Sequence, residues 1–251
     1  MHMHDPRRSQ VHLPEICPLR LAERHGTDTF RLCTGIDAIV SAGTTRERII
    51  DAAESLIAER GLDAVSLRMI NSAANAGNAS AVQYHFGDRA GLIRAVLARR
   101  RPDVESRRHV LLDHLEAAGA DDLRELAAAF VRPLASELDD GAGYLQLLSD
   151  LAHQPRPTFD PEIFSDANDS VVRWRAMVKP LMDPLAVRLH RRLIAMQFTY
   201  DELARRARDR ADRDHQLFIS QTIDLVAALL DGRLSDETRD LVDARLSRTT
   251  P

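Results

Sequence analysis

The sequence predicts an all-α protein: three short helices running into a fourth over residues 44–101, then a larger helical bundle over 102–251. Three observations carry that reading. After residue 44, apolar residues recur at i, i+3, i+4 and i+7, the period of a helix rather than the alternation of a strand. The apolar content is 44% of 251 residues and comes mostly from Ala, Leu, Val and Ile, with aromatics at only 4%. Such small and aliphatic side chains favour helical packing. Capping residues open the helical segments, and Gly or Pro closes them.

Taken in order, Thr44-x-x-Glu47 has the form of a capping box, in which the hydroxyl accepts from the third amide of the helix and the carboxylate reaches back. Ile49, Ile50, Ala53, Leu56 and Ile57 then form one stripe, and Gly61 supplies a left-handed residue that stops the helix. Ser66 is the cap of a second helix from Leu67 to about Asn75, with Leu67, Ile70 and Ala74 inward. Asn75-Ala76-Gly77-Asn78 is turn chemistry. A third, short helix follows from about Ala79 to Phe86, with Val82 and Phe86 inward and Ser80, Ala81, Gln83, Tyr84 and His85 outward. Gly87 ends it, Asp88 caps the fourth helix, and Leu92, Ile93, Val96 and Leu97 form that helix's stripe.

A helix, a turn of small residues and a short helix with a polar outer face make helix-turn-helix geometry. The slim surface of Ala, Ser and Gln would enter a DNA major groove about 12 Å wide. Gln83 suits a bidentate pair with adenine, and Tyr84 and His85 suit phosphate oxygens. An ordinary trihelical core with a polar outside has the same pattern, and geometry alone leaves both readings open.

Thr45-Arg46-Glu47-Arg48-Ile49-Ile50-Asp51-Ala52-Ala53, Glu59-Arg60-Gly61, Ser66-Leu67-Arg68-x-Ile70 and Tyr84-His85-Phe86-Gly87-Asp88-Arg89 closely resemble the N-terminal domain of TetR-family transcriptional regulators. The resemblance implies an all-helical homodimer that binds a double-stranded DNA operator, usually as a repressor, and releases it when a small-molecule effector binds the C-terminal domain. On it, Thr45, Ser66, Arg68, Asn78, Ser80, Ala81, Gln83, Tyr84, His85 and Arg89 are the expected DNA contacts. The sequence departs from the family's commonest pattern in four ways. Asn71 stands where Ala is usual, the turn is one residue longer, Gln83-Tyr84 stands in place of the familiar aromatic pair before His-Phe, and Arg89 stands where many members have a Lys that contacts phosphate at the start of helix four.

Beyond Pro102 three stripes are expected: Val104, Leu111, Leu115 and Ala118; then Leu123 to Leu138, kinked at Pro133; then Tyr144, Leu145, Leu148 and Leu151. A loop from Gln154 to Pro161 leads to a helix carrying Val171, Trp174, Met177 and Val178. Two longer helices close the bundle, over about 184–207 and 214–231, and the resemblance makes them the dimer interface. Phe130, Tyr144, Phe164, Trp174 and Met177 are candidates for lining an effector pocket, with plain core packing as the competing role.

The remaining features bound the function. Net charge is −4, yet residues 44–101 hold nine Arg against six Asp and Glu, so the basic excess falls on the helix-turn-helix segment. Cys17 and Cys33 form no framework, which points to a reducing cytoplasm. The sequence holds no apolar run of membrane-spanning length and no leader-like start. Residues 1–43 read as a polar extension in which His2, His4 and His12 are solvated rather than metal-bound. His109, His114, His153, His190 and His215 read as isolated surface groups. No phosphate-binding loop, nucleophile elbow or zinc-protease motif is present, so neither catalysis nor a resident cofactor is expected. The alternative to a DNA-binding regulator is a helical protein-interaction module that keeps the fold without reading DNA.

Overall fold

The computed structural model describes residues 44–76, 80–119, 121–154, 169–209 and 214–249. The N-terminal histidines and cysteines, Asn78, Phe164 and most of the 154–161 loop lie outside these residues. Among the described residues every regular element is helical.

Helix α1, Thr45–Arg60, opens with the expected capping box: the Glu47 amide donates to Thr44 Oγ1 at 3.2 Å and the Thr44 amide to Glu47 Oε2 at 2.7 Å. Gly61 ends it with φ +76° and ψ 163°. That is not the left-handed helical conformation expected, but an extended positive-φ region that essentially only glycine enters. Helix α2, Leu67–Ala73, starts from Ser66, whose Oγ accepts from the Met69 amide. Asn75 turns the chain at φ +46°. Helix α3 spans Ala81–Phe86 and α4 spans Arg89–Ala118, capped by Asp88.

α4 passes through Pro102 unbroken and so extends from the helix-turn-helix region far into the bundle. Its buried stripe differs from the expected one. Val104, Arg108 and Leu112 are buried at i, i+4 and i+8, whereas Leu111 and Leu115 are half-buried and Ala118 is exposed. A charged residue occupies the middle of the apolar line.

Helix α5, Leu123–Ala135, is buried on nearly every side, with Pro133 in its last turn. Helix α6, Ala142–His153, is the central strut and packs against α1 on one side and the later helices on the other. Helix α7, Ser170–Val178, carries Trp174, which is fully buried. Its indole donates to the Leu126 carbonyl at 2.8 Å, and its ring stacks on Phe130 with centroids 4.5 Å apart.

The expected single helix over 184–207 is two. α8, Pro184–Arg188, ends where His190 takes a left-handed conformation at φ +57°, and α9, Arg191–Arg208, begins there. α10, Gln216–Asp231, ends at Gly232 as the sequence suggests. A final helix, α11, Asp236–Thr249, was not anticipated. Ser235 Oγ accepts from the Thr238 amide at its start, but its sequence carries too few apolar residues to show a stripe. α9 packs on α6 and α10 on α5. One continuous apolar core joins the helix-turn-helix region to the bundle.

Candidate nucleic-acid interface

α3 is six residues long, and the 3.6-residue period divides it sharply. Ala81 and Val82 are buried and His85 and Phe86 half-buried, which leaves Ser80, Gln83 and Tyr84 exposed at i, i+3 and i+4. Two placements made from sequence are therefore corrected. Ala81 lies in the core rather than on the outer face, and His85 is partly covered, with the Tyr84 ring edge-on 5.0 Å away. Tyr84 is 85% exposed, the most exposed large apolar side chain among the described residues.

Asn71 Oδ1 accepts from the Val82 amide at 3.2 Å, tying α2 to the first turn of α3. The family's usual Ala could not do this, so the departure at Asn71 is a structural brace. Phe86 closes the base of the unit with the Arg46 guanidinium over its ring at 5.3 Å.

Arg89 is placed differently from its expected phosphate-contacting role. Its guanidinium donates to the backbone carbonyls of Val65 and Leu62, which fastens the α1–α2 connection to the start of α4. The Leu62 carbonyl also accepts from the Val65 amide, so Arg89 is a second donor there and the donor that the Val65 carbonyl would otherwise lack. Arg68 and Ser66 are exposed on α2 and its cap, and Thr45 lies half-exposed at the start of α1, where its Oγ1 accepts from Arg48.

The unit is anchored to the bundle by charge. Asp150 of α6 accepts the Leu62 amide at 2.6 Å and Gln146 Nε2 at 2.8 Å. Arg100 of α4 bridges Glu54 on α1 at 3.2 Å and Glu137 at 2.9 Å, and it donates to the Asp140 carbonyl. Burial opposes the Arg100 charge, but bonds to Glu54 and Glu137 more than offset it and raise its pKa.

A second site lies in the bundle between α4, α6, α7 and α9. A cavity of about 30 Å³ is bordered by Tyr144, Tyr200, Arg101, Glu105, Arg108 and Asp169, with aliphatic walls from Leu97, Val104, Leu134, Leu148 and Val171. Of the sequence-predicted pocket residues that are described, only Tyr144 reaches it. Phe130 and Trp174 form the stacked core behind, and Met177 is half-buried without lining it. Arg108, Tyr200, Glu105 and Asp169 were missed from sequence. The signal was a charged residue four positions from Val104 and four from Leu112.

Arg101 bonds Asp169 at 2.9 Å and Glu105 at 3.3 Å, and Arg108 donates to Ser170 Oγ at 2.7 Å. Burial pushes the Asp169 carboxyl above its ordinary pKa, with Glu105 adding to the shift. Burial acts the same way on Glu105, but bonds from Ser170 and the nearby Arg108 and Arg101 win and hold it below the usual value. Burial raises the Tyr200 phenol to about 12.

Fold and site together define an all-helical protein with a helix-turn-helix unit. Residues 49–96 match the family model described as bacterial regulatory proteins, tetR family. The match covers the helix-turn-helix segment, and over those residues the chain is similar to that family. No curated protein matches it. Among solved structures, it is similar to RolR in complex with the ligand resorcinol, at 19% identity over 76% of this chain and 95% of that one, with a TM-score of 0.35. Among the described residues no helix is long and apolar enough to cross a membrane, and no group of His, Cys, Asp or Glu is arranged to hold a metal ion.

Proposed function

We propose that the chain is a homodimeric, effector-responsive repressor of the cytoplasm that binds a pseudo-palindromic operator. In this reading residues 44–101 bind DNA, residues 102–251 bind the effector and the second copy, and residues 1–43 are an extension. The observation that carries it is the exposed Ser80, Gln83 and Tyr84 face of α3, presented on a short helix whose other side is locked into the core. Gln83 is the residue for base readout, with its amide matching the donor–acceptor edge of adenine. Tyr84, Ser80 and the exposed Arg68 serve phosphate oxygens, and Thr45, Ser66 and His85 lie at the margins of that contact. Asn78 in the turn is assigned to the same surface.

One reading helix covers only a few base pairs, so affinity requires two copies about one helical turn of DNA apart. The last four helices supply a surface for that pairing. Leu189, Ile194, Leu217, Leu225 and Leu241 are five of the eight large apolar side chains left exposed among the described residues.

Selection of bound sites from random DNA, followed by gel shifts on the selected sequence, tests the reading. The expected product is a two-fold-symmetric site whose affinity falls steeply with salt, log K decreasing with log salt in proportion to the phosphates neutralised. Enrichment of no sequence, or affinity indifferent to salt, would overturn it.

A further inference from the structure

The bundle cavity is bordered by one buried polar group that nothing satisfies and by two buried phenols. Arg108 is 2% exposed, and its Nε has no hydrogen-bond partner. Tyr144 and Tyr200 are nine-tenths buried or more and border the same cavity. A buried donor without a partner is costly, so Arg108 Nε beside an open space calls for an acceptor to fill it. At about 30 Å³ the space now suits a water or two.

The charges on its wall decide what else it admits. Two guanidiniums, Arg101 and Arg108, face two carboxylates, Glu105 and Asp169. The set balances, and a net charge brought into it would be buried without a counter-ion. A cation offers no acceptor to Arg108 Nε. An anion offers one but meets Glu105 and Asp169. A neutral oxygen accepts from Arg108 Nε, and either phenol can then donate to it or accept from it. The Leu97, Val104, Leu134, Leu148 and Val171 walls suit an aliphatic or ring body behind that oxygen.

The geometry points to an effector that is a small neutral molecule with a hydroxyl or carbonyl oxygen on an apolar body, held by Arg108, Tyr144 and Tyr200. This deepens the effector-responsive reading above and rests on it. The route from the site to the DNA-binding unit is short. Arg101 bonds Asp169 at the cavity, and its neighbour Arg100 bonds Glu54 on α1. A ligand that shifts the Arg101 pair moves the turn of α4 that anchors α1.

Three probes of one size separate the charge types: cyclohexanol, cyclohexanecarboxylate and cyclohexylammonium, titrated calorimetrically into the full chain at neutral pH. Trp174 gives an independent optical signal, because it is the single tryptophan and stacks on the Phe130 ring that Arg108 covers. Cyclohexanol should bind saturably, one per chain, at least about tenfold more tightly than either ion. Tyr144→Phe and Tyr200→Phe each remove one oxygen. They should weaken cyclohexanol binding several-fold while leaving the melting temperature of the free protein close to that of the parent, since neither ring is lost from the core. Arg108→Gln should abolish binding.

Tighter binding of an ion, binding of no probe, or cyclohexanol affinity untouched in both phenylalanine variants overturns the assignment. Gel shifts on the selected operator run alongside. Operator binding without probe binding refutes the ligand class alone, and absence of operator binding refutes the repressor reading whatever the probes do.

Discussion

At the scale of single residues, Arg89 and Tyr84 are a few positions apart and do opposite work. Arg89 spends its guanidinium on the Val65 and Leu62 carbonyls, so Arg89→Ala removes two charge-assisted bonds and leaves the Val65 carbonyl without a donor, while Leu62 keeps the Val65 amide. Thermal denaturation should show a loss of about 2 kcal/mol. Tyr84 touches little, and Tyr84→Ala should stay within about 0.5 kcal/mol of the parent in the same melt while lowering operator affinity. A Tyr84 variant that melts early, or an Arg89 variant that does not, would reverse these roles. The sequence could not separate them, because an Arg at a helix start reads equally as a phosphate contact or a brace. What decides is whether buried carbonyls lie within reach, and that depends on the folded loop at Leu62–Val65. Arg108 was hidden for a related reason. Apolar periodicity passes over a charged residue, although its spacing from Val104 and Leu112 places it in the buried line.

At the scale of elements, α1 to α4 were legible because their ends are written in local chemistry: Thr44 with Glu47, Ser66, and Asp88. The break between α8 and α9 was not, since no Gly or Pro marks it and His190 adopts its left-handed backbone under tertiary constraint. The contact of α1 with α6 was also invisible, and it has the sharper consequence. A Cβ on Gly143 would lie 2.2 Å from the Glu54 carbonyl oxygen, a separation backbone cannot tolerate. Gly143→Ala should therefore push α1 off α6, costing about 1–3 kcal/mol in denaturant unfolding. It should also lower operator affinity although Gly143 lies on α6, far in sequence from the reading helix. An unchanged unfolding midpoint would mean that α1 and α6 do not approach this closely.

At the scale of the whole molecule, the proposed function needs two copies held in register, and α10 offers the means. Leu217, Gln221, Leu225 and Ala228 are exposed at i, i+4, i+8 and i+11, with Leu217 79% and Leu225 45% accessible, while the opposite face of the same helix is buried on α5. An amphipathic helix with apolar residues on its outer side as well has a second surface to cover. A stable interface buries about 800 Å² per partner, more than one helix face, so Ile194 on α9 and Leu241 on α11 belong to the same surface if it pairs copies of this chain. Leu217→Glu with Leu225→Glu places two like charges per copy at that seam. Sedimentation should then show a monomer where the parent is a dimer, with helical content and melting otherwise retained because neither side chain enters the core. Operator affinity should fall far more than the loss of any single contact on α3, since the two half-sites are no longer bound by one particle. A variant that remains dimeric would place the seam elsewhere, and a parent that is monomeric at the concentrations where it binds DNA would remove the need for one.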